Sequence, residues 1–219
     1  MAFPVMRSQR LTVSEWNTSH TINYPATVVA GDRLELWIGL PAARTITATG
    51  WTLVGSATNT CQLAMYTRVA AGSEGGGTFS VGLNSAVELK AIVRSIAGAD
   101  APQISSPASG TSSTSNPDAP SFTPAGGPDD FLWVAAGLKT GPTGQPDDIN
   151  NFGNHISDTS GDLSIMLADR QLNASVLNPG NFDANSGSTW VAFTAVHPPG
   201  GPSGNAARSM YHHLVGGMR

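Results

Sequence analysis

Five histidines, His20, His155, His197, His212 and His213, are the side chains best suited to bind a metal or carry a proton near neutral pH. Their spacing supports neither use. No His-Glu-x-x-His is present, no cysteine partners them, and neighbours such as His212 and His213 project to opposite sides of an extended segment. Only symmetry, bringing several copies of that pair onto one axis, would make a metal site of them. The paired carboxylates are Asp129 with Asp130, Asp147 with Asp148, and Asp158 with Asp162 in the loop SDTSGDLS. Such groups can supply oxygen to calcium or flank a sugar in a glycosidase. None has the EF-hand spacing, and each pair stands in a glycine- or proline-containing turn cluster, where aspartate is an ordinary turn former.

The nucleophiles are no better framed. Cys61, the only cysteine, lies in an alternating apolar run and reads as a buried thiol; its solitude excludes an intrachain disulfide. No Gly-x-Ser-x-Gly elbow exists for acyl transfer. The cluster Gly75, Gly76, Gly77 in GSEGGGTF lacks the lysine of a phosphate loop and does not open a helix, so it reads as a corner between two strands. No catalytic residue, cofactor or metal site is expected. Of the five tryptophans, Trp37, Trp133 and Trp190 fall inside strand patterns and fit the core or a subunit interface. Trp16 and Trp51 are the candidates for contact with a partner or for stacking on a sugar, Trp51 also fitting a role in pinning a loop.

The elements that would carry these residues are strands. RLELWIGL, residues 33–40, sets Leu34, Leu36, Ile38 and Leu40 on one face; CQLAMYTRV, residues 61–69, sets Cys61, Leu63, Met65, Thr67 and Val69 against Gln62, Tyr66 and Arg68. VELKAIVRSI, residues 87–96, repeats the alternation and predicts Glu88, Lys90 and Arg94 facing out. Later runs FLWVAAGL, LSIMLADRQL and STWVAFTAV resemble these, and weaker ones lie near residues 11–15, 20–24 and 51–54. Glycine-, proline- and aspartate-rich turns separate them, and no convincing helix is present. The pattern predicts an all-β chain, an antiparallel β-sandwich or jelly roll of about ten strands. It also contains an echo. VVAGDRLELWI from Val28 resembles TPAGGPDDFLWVA from Thr123, QLAMYTRVA parallels LSIMLADRQL, and LKAIVRSIAG parallels WVAFTAVHPPG, as two pseudo-repeated halves of one sandwich would.

Charged residues make up 12% of the 219, about half the usual share, and the net charge is -4 with Lys90 and Lys139 the only lysines. No basic patch can hold phosphate backbones, which argues against direct nucleic-acid binding. No segment reaches the roughly 18 apolar residues of a membrane span, and the start MAFPVMRSQR lacks a signal peptide's apolar run, so synthesis in a cytoplasm is expected. Residues 1–197 read as the sandwich domain. Within it, residues 101–128 form a long Ser/Pro/Gly-rich connection, either a mobile crossover or a strap ordered against a neighbouring subunit. Residues 198–219 read as a tail, frayed or docked onto a partner through Met210, Tyr211, Leu214, Val215 and Met218.

In order, the segments MAFP, NTSHTINYPATVVAGDRLELWIG, TGWTLVGS, LAMYTRVAAGSEGGGTFSV, SNPDAPSFTPAGGPDDFLWVAAGL, ADRQL and STWVAFTAVHP resemble a family of accessory structural proteins of tailed bacteriophages, of minor-tail or capsid-decoration type. The resemblance runs from Met1 to Pro198. It implies a β-sandwich, no assigned catalytic residues, a place in the virion, and as partners the major capsid or tail proteins and sister copies in a homo-oligomer, a trimer being the natural count on a quasi-sixfold surface. The alternative expectation is a glycan-binding module at a tail tip, recognising host surface polysaccharide.

Overall fold

The structure, a computed structural model, describes residues 2–111, 116–141, 146–147, 149–184 and 189–201. It is all-β and antiparallel, with no helix among the described residues. The first half of the chain supplies β1 (Val5–Asn23), β2 (Arg33–Leu40), β3 (Ile46–Thr47), β4 (Thr52–Thr58), β5 (Gln62–Val69) and β6 (Thr78–Ala97). The second supplies β7 (Gln103–Ile104), β8 (Ala108–Gly110), β9 (Asp118–Ala119), β10 (Asp129–Thr140), β11 (Pro146–Asp147), β12 (Gly153–Asp158), β13 (Leu163–Ala174), β14 (Gly180–Asn181), β15 (Asp183–Ala184) and β16 (Trp190–His197).

Each half builds one sheet of the sandwich. The first runs β1-β6-β2-β5-β4, with β3 also on β6; the second runs β12-β13-β10-β16-β7, with β8 also on β16. Along these two paths, leaving aside β3 and β8, the second sheet reversed reads β7-β16-β10-β13-β12, so both halves order their strands first, last, second, fourth, third. The echo in the sequence is therefore an echo in topology: β2 with β10 at the centre, β5 with β13, and β6 with β16. Facing is not repeated. Trp37 of β2 lies between the sheets, whereas Trp133 of β10 belongs to a cluster with Phe131 and Val196 away from that core.

The central core joins Trp37, Cys61, Leu63, Met65 and Ile92 of the first sheet to Val134, Leu138, Ile165, Leu167, Val191 and Phe193 of the second. Close approach is built in at Gly39, where an added Cβ would collide with Leu138 Cδ1. A second core covers the other face of the first sheet, where Leu34, Leu36, Ile38 and Leu40 meet Ile22, Val81, Leu83 and Val87 from the far parts of the two long strands, with Tyr24 and Trp51. Beyond the second sheet, Ala119, Ile149 and Phe182 pack with Ala135, Met166 and Ala168.

Two expectations are overturned by these layers. Alternation predicts Glu88, Lys90 and Arg94 in solvent and Gln62, Tyr66 and Arg68 opposite the core; Lys90 and Arg94 are instead fully buried, and Gln62 and Tyr66 are buried too. Period two tells which residues share a face, and a sheet covered on both sides has no face for water. The connection over residues 101–128 is held by its own chain across its described part. β7 and β8 pair with β16, β9 pairs with β14, Phe122 and Leu177 exchange backbone hydrogen bonds of 2.9 and 3.1 Å, and Thr194 Oγ1 donates to Pro120 O at 2.6 Å. It extends the sheet and covers its outside.

Candidate functional site

The glycine cluster closes the corner between β5 and β6. Gly76, at φ 72°, donates to Pro25 O, and Gly77 N donates to Glu74 O at 2.8 Å. The amides that could have met a phosphate already hold an anion: the Glu74 carboxylate accepts Ala71 N at 2.8 Å and Gly72 N at 2.7 Å, and pairs with Arg68 at 2.6 Å. The earlier AGD turn works the same way. Gly31 takes φ 87°, and Asp32, almost fully buried, accepts Val29 N, Ser95 Oγ and the Arg7 guanidinium. Burial acts to raise the Asp32 carboxyl, but the bonds from Arg7, Ser95 and Val29 prevail and hold it below its ordinary value.

The densest group of ionisable side chains lies between the sheets. From the first sheet, Glu35 and its cross-strand neighbour Arg94 face His197 and Asp169 of the second. Arg94 Nη1 stands 3.0 Å from Glu35 Oε1, Nη2 bonds the Asp169 carboxylate, and His197 Nε2 lies 2.7 Å from Glu35 Oε2. All four are at most 4% exposed. Burial acts to raise Glu35, yet Arg94 and His197 hold it below its ordinary value; burial lowers the Arg94 guanidinium, against the pull of Glu35. Elsewhere along β6, Lys90 crosses to the β12–β13 turn, donating to Leu163 O at 2.6 Å and bonding Asp158 and the Ser160 carbonyl. Fully buried and bonded across to the second sheet, Lys90 and Arg94 act as polar rivets.

The remaining sequence candidates are dispersed. His20 Nδ1 meets Ser14 Oγ at 2.8 Å and its imidazole is lowered by burial; His155 Nε2 meets Phe152 O at 2.9 Å. No group of three His, Cys, Asp or Glu that could hold a metal occurs among the described residues. Asp130 accepts Asn173 Nδ2, Asp129 caps the Asp130 amide and Asp158 serves Lys90, while the Asp147 side chain and Asp148 lie outside the described residues. Cys61 is buried, and burial pushes its thiol up to about 12, which suppresses the thiolate at neutral pH. Met210, Tyr211, His212, His213, Leu214, Val215 and Met218 also lie outside the described residues.

The two tryptophan candidates part company. Trp51 is buried, 5.2 Å from the Phe79 ring and 6.3 Å from Tyr24, with the Arg68 guanidinium 5.7 Å over it. It is a core and loop-pinning residue. Trp16 is 70% exposed, the most exposed of the large apolar side chains described. The register explains it: Ser14 pairs with Leu89 and Asn17 with Val87, so Glu15 and Trp16 together oppose the single residue Glu88. That is a β-bulge, a device that re-aims a side chain out of the ladder. Beside it runs a groove of about 320 Å³ lined by Val13, Ser14, Glu15, Trp16, Glu88, Ser160 and Gly161. Burial, together with Asp158, Asp162 and Glu15 and against the pull of Lys90, raises the Glu88 carboxyl. A bulge is silent in period-two reading, so only Trp16 could be picked out beforehand; Glu15, Glu88 and Gly161 meet through pairing between distant segments.

Comparisons with protein-family models, with curated proteins and with solved structures find no match to this chain.

Proposed function

We propose that this chain is a non-enzymatic structural component of a tailed-phage virion, decorating or cementing the capsid surface or mounted on the tail. The observation that carries the reading is where the charge goes. In a chain with few ionisable groups, Glu35, Lys90, Arg94, Asp158, Asp169 and His197 are engaged in holding the two sheets together. What remains outside is a largely neutral surface dotted with apolar side chains such as Val5, Val13, Leu53 and Trp16, suited to close packing of many copies. The resemblance of residues 1–198 to phage accessory proteins points the same way. Immunogold electron microscopy of purified particles, with antibody against this protein, tests it: label over heads supports capsid decoration and label on tails supports a tail component. Unlabelled particles carrying an accessible epitope would remove the virion role.

Exposure of Trp16 beside hydrogen-bonding carboxylates favours one second reading, a glycan-binding module at the tail tip. A glycan array on the purified protein tests that. Binding abolished by Trp16→Ala with the fold intact would support it; Trp51 is a poor reporter, because its ring is part of the core.

A further inference from the structure

From the groove and the chemistry of residues 202–219, we infer that the bulge groove beside Trp16 is the receptor for that segment of a second copy. The occupant fits in charge. Every one of the fifteen acidic residues precedes residue 202, whereas residues 202–219 carry Arg208, Arg219, His212 and His213 and no carboxylate side chain. The groove presents the Glu15 and Glu88 carboxylates, and Asp158 and Asp162 act on Glu88 from beside it. An arginine stacked on the exposed Trp16 ring and paired with Glu88 would use both features at once. The occupant also fits in polarity: Met210, Tyr211, Leu214, Val215 and Met218 match the apolar wall formed by Val13 and Trp16. A volume of about 320 Å³ takes two or three side chains, not a domain.

The path of the chain selects a second copy over the same one. After β16 the backbone turns back along residues 98–100, with Ala99 bridging Pro199 and Gly200 N donating to Gly98 O at 2.7 Å. That exit lies ten residues along β6 from Glu88, about 33 Å at 3.3 Å per residue. The nine residues from Gly201 to Met210 span at most roughly 30–32 Å when fully extended, so within one chain Arg208 and Met210 fall short and only the residues after them can reach the groove, whereas a second copy can offer the whole segment. A copy stacked end to end sets its groove next to the exit. The contact is then head to tail, and it builds a ring or an open stack according to the rotation between copies. This deepens the proposed role by naming how sister copies meet, but its test needs only purified protein, so its failure would leave the particle labelling to decide the virion reading.

The test uses the full-length chain with a photoreactive benzophenone amino acid in place of Tyr211, mixed as ordinary and ¹⁵N-labelled copies, irradiated and mapped by mass spectrometry. Cross-links from position 211 to residues 13–16, 88 or 160–161 of the other isotopic class are expected. Their yield should fall at least about tenfold in Trp16→Ala, the scale of loss on truncating an aromatic anchor, and should drop in 0.5 M salt, which screens the carboxylate pairing. Trp16 is exposed, so Trp16→Ala should keep the circular dichroism of the parent. Cross-links confined to one isotopic class, cross-links to another surface, or none at all would each overturn the inference. A full-length chain that sediments as a monomer at high concentration would do the same.

Discussion

Arg94 spans the gap between the sheets and answers two carboxylates, Glu35 and Asp169, with all three side chains buried. Removing one partner of such a group leaves the others buried and uncompensated, so Arg94→Met should cost about 3–5 kcal/mol in urea unfolding. Replacing Arg94, Glu35 and Asp169 together with apolar residues should recover much of that loss. Glu35, Asp32, Glu74 and Asp158 are held below their ordinary values, against Glu88, which is raised. A carboxyl depressed in the folded state contributes stability above its unfolded value, here 3.8 or 4.5, and loses it as pH falls through the folded one. The melting temperature should therefore slip slightly between pH 7 and 5, where His20, lowered by burial, loses its contribution, and fall steeply below about pH 4, as a calorimetric pH series would show. Of these residues the sequence showed the types and the alternation. It hid their destination, because Glu35, Lys90 and Arg94 alternate with apolar neighbours in the way solvent-facing residues do.

At the scale of elements, strand identity followed from period two and turn residues. Every main run predicted from alternation has its centre in a strand, and the corner at Gly75–Gly77 is a turn. Residues 11–15 and 20–24 were expected as separate strands, yet the first and most of the second lie in the single β1; the bulge at Glu15 and Trp16 interrupts its alternation without ending the ladder. The long connection was the least legible element. Its serines, prolines and glycines show no period, and its order comes from an edge, β16, that forms only when distant strands have assembled. Gly110 marks where the connection presses home: a Cβ there would stand 2.5 Å from the Trp190 indole nitrogen. Gly110→Ala should push the ring or the strand aside and destabilise the protein by about 1–3 kcal/mol, with a lowered urea midpoint as the readout.

For the whole molecule, the shared strand order makes each half a complete sheet that is incomplete as a fold. Residues 1–100 expressed alone keep β1 to β6 but lose the partner of the central core, so they should show strand-type circular dichroism without a cooperative melt. Co-expression with residues 101–219 should restore the cooperative melt; a cooperative transition in the first fragment alone would show that its second core suffices. The duplicated order was visible beforehand as matched runs, and the swap of Trp37 and Trp133 between faces was not, since a repeat in sequence does not fix which side meets the other sheet. The split of the sheets by halves also has a consequence at the ribosome. β6 ends at Ala97 and β16 at His197, so at about 5–20 residues per second the first sheet waits roughly 5–20 s for its cover. During that interval the face it shows to other nascent chains carries Glu35, Lys90 and Arg94 among its apolar residues, and those charges act as gatekeepers against sheet-to-sheet aggregation until the second half arrives to neutralise them.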